Sequence, residues 1–192
     1  MDCINWKGRS PKGLKKIIKS FIKKIRGQQN IETLIQSGMK VGEQFWVGDD
    51  CSFDSSFCWL IQIGNKVTFS NRVRLIAHDA SIHDFIFKTK IGRIIIDDYV
   101  FIGAGSLVLP GVHIGKGAII AAFSLVNKDI PDGEVWGGVP AHKICNRNEL
   151  EEKFNSNEYK DIKYDSLSPH EKTLTRESII EELHNNRFCY LV

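Results

Sequence analysis

The stretch IDDYVFIGAGSLVLPGVHIGKGAIIAAFSLVNKDI, from Ile96 to Ile130, repeats every six residues. Ile96, Ile102, Val108, Ile114, Ile120 and Val126 share one position of the repeat, and Val100, Ser106, Val112, Ala118, Ser124 and Ile130 follow each of them by four. An amphipathic helix returns its apolar residues every three to four positions and a half-buried strand every two, so a strict six needs a larger unit. One short extended segment and one turn per repeat supply it, with a branched aliphatic inward at the first position and a small or β-branched residue inward at the fifth. Stacked hexads bury a column that no single repeat could bury, which predicts an all-β solenoid, a parallel β-helix, with Gly103 and Gly115 at tight positions.

Towards the N-terminus the hexads begin at Val41 (VGEQFW) and Val47 (VGDDCS), continue through Phe53 and lose phase across Cys58 to Gln62. They resume at Ile63 (IGNKVT), Phe69 (FSNRVR) and Leu75 (LIAHDA), shifted by four residues. A slip of phase has to be absorbed by a distorted corner, which makes Phe57 and Trp59 candidates to line a site or to pack. A second interruption of about fifteen residues, Ala80 to Ile94, opens directly after His78 and Asp79 and contains His83 and Asp84. Insertions in a repeat protein map to loops on one face, often the binding face, so chemistry is expected here. Beyond Val126, Lys128-Asp129-Ile130-Pro131-Asp132-Gly133 supplies the turn chemistry that ends the column.

The chain of 192 residues, 42% hydrophobic and 26% charged, suits one ordinary domain with two flanks: a basic helical segment 1–40, a coil 41–144 with an inserted loop at about 80–94, and a polar, partly helical extension 145–192. The net charge of +3 is uneven, since Met1 to Lys40 carries ten Lys/Arg against Asp2 and Glu32. Leu14, Ile17, Ile18, Phe21, Ile22 and Ile25 follow helical spacing among lysines, predicting a cationic amphipathic helix. That helix either packs on its own subunit or lies on an anionic membrane surface through residues 12–26. Further short helices are expected at about Ile31 to Gly38, Asn148 to Phe154 and Glu177 to Asn185, with a turn at Asp165 to Pro169. Five scattered cysteines without a CxxC pair argue against a disulfide framework and a zinc ribbon and suit a reducing, cytoplasmic compartment. No apolar run is long enough to span a membrane. Charge confined to one amphipathic helix disfavours nucleic acid as a partner.

The AHDAS segment at Ala77 to Ser81, the run from Asp97 to Pro131 and the GGVPAHKI closure at Gly137 to Ile144 together resemble the left-handed β-helix hexapeptide-repeat acyltransferases, in particular the galactoside, maltose and polysaccharide O-acetyltransferase branch. The resemblance implies a triangular left-handed coil with three hexads per turn, a homotrimer, and an acyl-donor groove between neighbouring subunits. It implies acetyl-CoA as donor, no metal requirement, and His78 as the catalytic base for a saccharide hydroxyl. A histidine titrating near neutrality suits that role, and a backbone N–H such as that of Ala104 would meet the tetrahedral oxyanion. The same likeness maps the donor groove onto Phe101, Ala104, Ala122, Asn127, Lys128 and His142, where Lys128 could meet a phosphate. Phe101 stands where relatives often carry Trp, and Ala121-Ala122-Phe123 replaces a common Gly-Ala-Gly. Asp79, His83 and Phe57 are assigned to the acceptor, because neighbours on an extended segment point to opposite sides and Asp79 would pair with His78 only awkwardly.

Acetyl transfer to an amino sugar, a serine or a xenobiotic is the enzymatic alternative. A noncatalytic trimeric module is another. A carbonic-anhydrase-like zinc site built on His78, His83 and His113 lacks a ligand, because the position that would complete it is Ala118.

Overall fold

The computed structural model describes residues 29–155 continuously, together with Ile4–Asn5, Asp161–Ile162, Ile179, Leu183 and Tyr190–Leu191. The hexads wind into a three-faced parallel coil. On the first face Lys40–Val41, Ile61–Ile63, Ile94–Ile96 and His113–Ile114 pair in parallel, and Ile130 bridges to Ile114. The second face stacks Trp46–Val47, Thr68–Phe69, Phe101–Ile102, Ile119–Ile120 and Glu134–Gly137. The third stacks Ser52–Phe53, Arg74–Leu75, Leu107–Val108 and Leu125–Val126.

Cross-turn partners fix the pitch. In the clean run Ile96 meets Ile114, Ile102 meets Ile120 and Val108 meets Val126, so one turn consumes three hexads. Below it the spacing stretches: Val47 meets Phe69, and Phe69 meets Ile102. The extra residues of the first stretch lie between Phe53 and Ile61, where Cys58–Leu60 forms a 3-10 turn. Those of the second lie between Leu75 and Ile94. Both interruptions therefore fall in the same corner, between the third face and the first, in successive turns.

The other corners are regular. Their turning residue is left-handed in each rung, as at Gln44, Lys66, Tyr99 and Gly117 on the first corner and Asp50, Arg72, Gly105 and Phe123 on the second. Gly103 and Gly115 do sit tightly: an added Cβ would lie 2.4 Å from the Ala122 nitrogen or 2.6 Å from that of Asp132.

The interior follows the hexad rule. Ile102, Val108, Ile114, Ile120 and Val126 are wholly buried, each contributing roughly 1.5–3 kcal/mol of transfer free energy. The lower turns are aromatic, with Phe45 edge-on to Phe69 at 5.0 Å and Phe53 stacked 6.1 Å from it. In the upper turns two fifth-position residues are small and polar: Ser106 and Ser124 both donate to the carbonyl of Ala121, at 2.9 and 2.7 Å, so neither buried hydroxyl is left unsatisfied.

The lower end is closed by Ile4–Asn5, antiparallel to Trp46–Val47, by the Gln29 amide, which donates to the Phe53 carbonyl at 2.7 Å and accepts from its N–H at 2.6 Å, and by a helix, Ile31–Gln36, N-capped by Asn30. Leu34 and Met39 are buried at this end. At the upper end Glu134–Gly137 turns back into His142–Asn146, which runs antiparallel beside it and extends past Ile144. Glu149–Val192 forms a separate compact unit; its described parts are most of the helix Arg147–Asn155 and a parallel pair, Asp161–Ile162 with Tyr190–Leu191. The amphipathic helix at Leu14 to Ile25 and the turn at Asp165 to Pro169 lie outside the described residues, as does most of Glu177 to Asn185. No described helix is long and apolar enough to cross a membrane.

Candidate active site

The doubly interrupted corner carries the densest chemistry of the coil. Asp54 immediately follows the inward residue Phe53, and its N–H donates to the Leu75 carbonyl of the next turn, which sets its side chain beside the entrance to the long loop. One carboxylate oxygen accepts from the Ala77 N–H at 2.9 Å and from the Nδ1 of His78. The other accepts the N–H groups of Ser56 and Phe57, both at 3.1 Å. The Asp54 side chain is 2% exposed and that of His78 35%. Burial on its own would raise the Asp54 pKa, but the hydrogen bonds from His78, Ala77 and Phe57 and the charge of His78 outweigh it and bring the carboxyl below its ordinary value.

An ionised carboxylate only accepts, so His78 must donate through Nδ1. In that tautomer the lone pair lies on Nε2, which has no hydrogen-bond partner among the described residues, and the side chain is partly exposed. The Phe57 ring lies 5.0 Å from that of His78 at an interplanar angle of 43°.

The insertion after His78 is a hairpin, with His78–Asp79 antiparallel to Lys90–Ile91 and a short helix, His83–Ile86, at its tip. Phe85 and Phe87 are both exposed there. Asp79 turns its carboxylate to the N–H of Ser81 at 2.9 Å, not to His78. That hydrogen bond leads the causes that hold its pKa down, with Lys90 adding a favourable charge. His83 pairs with the Thr89 hydroxyl at 3.2 Å. His113, on the first face, pairs with Asp97 at 2.8 Å, so the three histidines weighed as zinc ligands have three different partners.

The residues mapped to the donor do not gather around His78 within one chain. Ala104 and Ala122 stack on the second corner and Phe101 faces outward on the second face. Asn127 and Lys128 follow the last strand of the third face, with the Lys128 ammonium 5.0 Å above the Trp136 ring. His142 begins the closing antiparallel strand.

The second corner has a property of its own. On the first corner the amide two residues past the inward position is met in three rungs by an Asn or Asp side chain from the turn above, Glu43 by Asn65, Asn65 by Asp98 and Lys116 by Asp132, and the lowest rung of the second corner follows suit, Asp49 by Asn71. Above Asn71 stands Ala104 and above Ala104 stands Ala122, which have no acceptor to offer. Among the described residues no group accepts from the amides of Asn71, Ala104 or Ala122, three successive rungs of one corner. On the first corner the Asp98 amide is left in this way, between two rungs whose amides are met.

The sequence reading missed Asp54. The signal was available, because counting three hexads per turn puts residues 54 and 76–78 on one corner in adjacent turns. A cavity of about 540 Å³ on the first face and corner, lined in part by Lys40, Gln62, Asp97, Asp98 and Lys116, contains none of the residues predicted for the site. The hydrogen-bonded Asp54–His78 pair lies outside that cavity.

Comparison with known proteins agrees with the coil. Residues 93–128 match the family described as bacterial transferase hexapeptide (six repeats). CapG of Staphylococcus aureus is 38% identical over 131 residues, covering 62% of this chain and 74% of CapG. YvoF of Bacillus subtilis strain 168, provisionally designated an acetyltransferase, is 37% identical over 116 residues, which are 60% of this chain and 65% of YvoF. The chain thus spans just under two thirds of YvoF's length. Among solved structures, the hexapeptide-repeat acetyltransferase VCA0836 of Vibrio cholerae O1 biovar eltor, crystallised with acetyl coenzyme A, superposes with a TM-score of 0.51 at 24% identity over 57% of this chain and 60% of that one, a likeness of fold. The repeat, the parallel three-faced coil and the similarity to CapG lead to one family: this chain belongs to the bacterial hexapeptide-repeat transferases.

Proposed function

We propose that the protein transfers an acetyl group from acetyl-CoA to a hydroxyl of a saccharide, with His78 as general base. The observation that carries this reading is the Asp54–His78 pair, which presents a free Nε2 at the mouth of the one long loop of the coil. The acceptor oxygen attacks the thioester carbonyl as its proton passes to Nε2, and the imidazolium is stabilised by the Asp54 carboxylate. Collapse of the tetrahedral intermediate breaks the C–S bond, and the thiolate leaves with the proton from His78. No covalent enzyme intermediate is required.

The donor is assigned to the second corner, where the unanswered amides of Asn71, Ala104 and Ala122 form a column of donors flanked by small side chains. One of them, that of Ala104, serves the oxyanion. Because this corner and the His78 corner are different edges of one prism, the complete site is assigned to the junction of two subunits in a left-handed homotrimer. Phe101, Asn127, Lys128 and His142 are assigned to the rest of the coenzyme, and Phe57, Asp79 and His83 to the acceptor side. The acetyl group is the one in YvoF's designation.

The test is thiol release from acetyl-CoA against a panel of sugars, nucleotide sugars and amino sugars, with His78→Ala as the control. Loss of a base predicts a fall in kcat of about 10²–10⁴-fold. Equal activity of the mutant on a good acceptor would overturn the mechanism, and amino-sugar turnover without hydroxyl turnover would overturn the acceptor.

A further inference from the structure

The aromatic wall beside His78 continues beyond what the proposed chemistry uses. From the His78 ring it passes to Phe57 at 5.0 Å and from Phe57 to Trp59 at 6.3 Å, the successive planes tilted by 43° and 51°. Phe57 is half-buried and packs at the edge of the core, whereas Trp59 is 54% exposed. Large rings left in water are common at random positions on a surface, so exposure alone decides nothing. What sets Trp59 apart is the rigidity of its seat and what that seat is tied to.

The turn that carries Trp59 is fixed on every side. The Asp54 carboxylate that holds His78 also accepts from Ser56 and Phe57, and the Leu60 N–H closes onto the Phe57 carbonyl at 2.9 Å. Cys58 is buried, its thiol directed at the carbonyls of Leu34 and Ser37. Gly38, at φ +106°, abuts the Trp59 Cβ so closely that a Cβ of its own would stand 2.9 Å away. The backbone that carries the indole is therefore held at several points, and one of them, the Asp54 carboxylate, is shared with the imidazole of His78. Ser55 and Ser56 are exposed on the same turn, and its one carboxylate is already engaged. An exposed apolar ring on a turn that also carries hydroxyls and no free charge suits a sugar ring, which has an apolar C–H face and a hydroxyl rim.

We propose that Trp59 is a second acceptor subsite, on which the sugar unit next to the acylated one stacks, so that the acceptor is a glycosidically linked saccharide of two or more units and not a free monosaccharide. The inference rests on the saccharide reading above. A sugar whose hydroxyl meets Nε2 of His78 lies against His78 and Phe57. Trp59 stands one ring-to-ring step further out, where a single sugar ring has nothing left to place and a linked neighbour does. The exposed ring at the first interruption of the hexads thus selects the length of the acceptor.

The experiment compares wild type, Trp59→Ala and Trp59→Phe in acetyl-CoA turnover with a monosaccharide and with its linked di- and tetrasaccharides, alongside sedimentation of each variant. The expected result is a KM for the linked acceptors about tenfold higher in Trp59→Ala, with kcat and the monosaccharide KM within about twofold of wild type, and substantial rescue by Phe. Equal KM for linked acceptors in wild type and Trp59→Ala would overturn the subsite while leaving the acetyltransferase reading standing. A uniform loss on mono- and oligosaccharides, or a changed oligomeric state in Trp59→Ala, would also overturn it, pointing to a packing or interface role. Absence of turnover by wild type on every saccharide would remove the acceptor reading itself, and the subsite with it.

Discussion

Asp54 receives three backbone N–H groups and one imidazole, and its ionised state is what fixes the tautomer of His78. Replacing it with Asn keeps the size but allows the amide to present either a donor or an acceptor to Nδ1, and the turn at Ser56 and Phe57 loses a charged acceptor. Asp54→Asn should lower kcat by about 10–100-fold with little change in the donor KM, measured in the thiol assay. The same residue makes a pH prediction. Its folded pKa is depressed, so its contribution to stability is complete above the ordinary carboxylate range and disappears as the pH falls through the lower folded value. Urea midpoints measured from neutral pH downward should fall more steeply for wild type than for Asp54→Asn, the two curves converging in strong acid. Parallel curves would mean that the carboxylate is not held ionised by the fold.

At the scale of a single corner, the second corner combines an unusual residue with an ordinary shape. Phe123 occupies the left-handed position at φ +56° that Gly105 occupies one turn below at φ +71°, and its ring lies against Gly105, within 2.7 Å of where a Cβ there would stand. A bulky side chain in that conformation costs about 1–2 kcal/mol, and 70% exposure of the ring returns little of it. Phe123→Gly relieves the strain but frees the unfolded chain, so the net expectation is a change of up to about 1 kcal/mol towards greater stability in urea unfolding. A loss larger than that would show that packing of the ring on Gly105 outweighs the backbone strain. A side chain at Gly105 would require the Phe123 ring to swing aside and would itself carry the left-handed strain of φ +71°.

Across the whole molecule, stability is a column, and its continuity is its strength. Ile102 is wholly buried between Phe69 below and Ile120 above, with no neighbouring loop free to collapse into a void. Ile102→Ala should cost about 2–5 kcal/mol by denaturant titration, the cost of lost transfer energy plus a cavity that rigid rungs cannot fill. The column was the part legible in the sequence, since the hexad period is local and each inward residue announces itself at a fixed distance from the last. The two phase slips were legible as well, and the AHDAS segment at Ala77 to Ser81 is what draws attention to His78 in the sequence. What the period does not encode is which side chains meet between turns. Counting hexads puts Asp54 on the corner of His78, but the hydrogen bond between them depends on the local course of the chain through the first slip. Asn71 and Ala104 keep open amides only because the residue above each has no acceptor. Gln29 reaches Phe53 from outside the repeat altogether.

The two ends of the second face share one feature. Between Trp46–Val47 and Glu134–Gly137 every pairing on this face is parallel, yet the strands that flank it, Ile4–Asn5 below and His142–Asn146 above, both run antiparallel. A coil of identical rungs is by nature a template: its last rung offers another molecule the same hydrogen-bonding edge that its first rung could fill, and such stacking leads to fibres. Reversing the chain at both ends of this face changes what that edge offers, because a further coil arriving head to tail meets a strand of opposite polarity there. On this face the repeat is interrupted in register at top and bottom, which works against continuation into a filament of identical rungs.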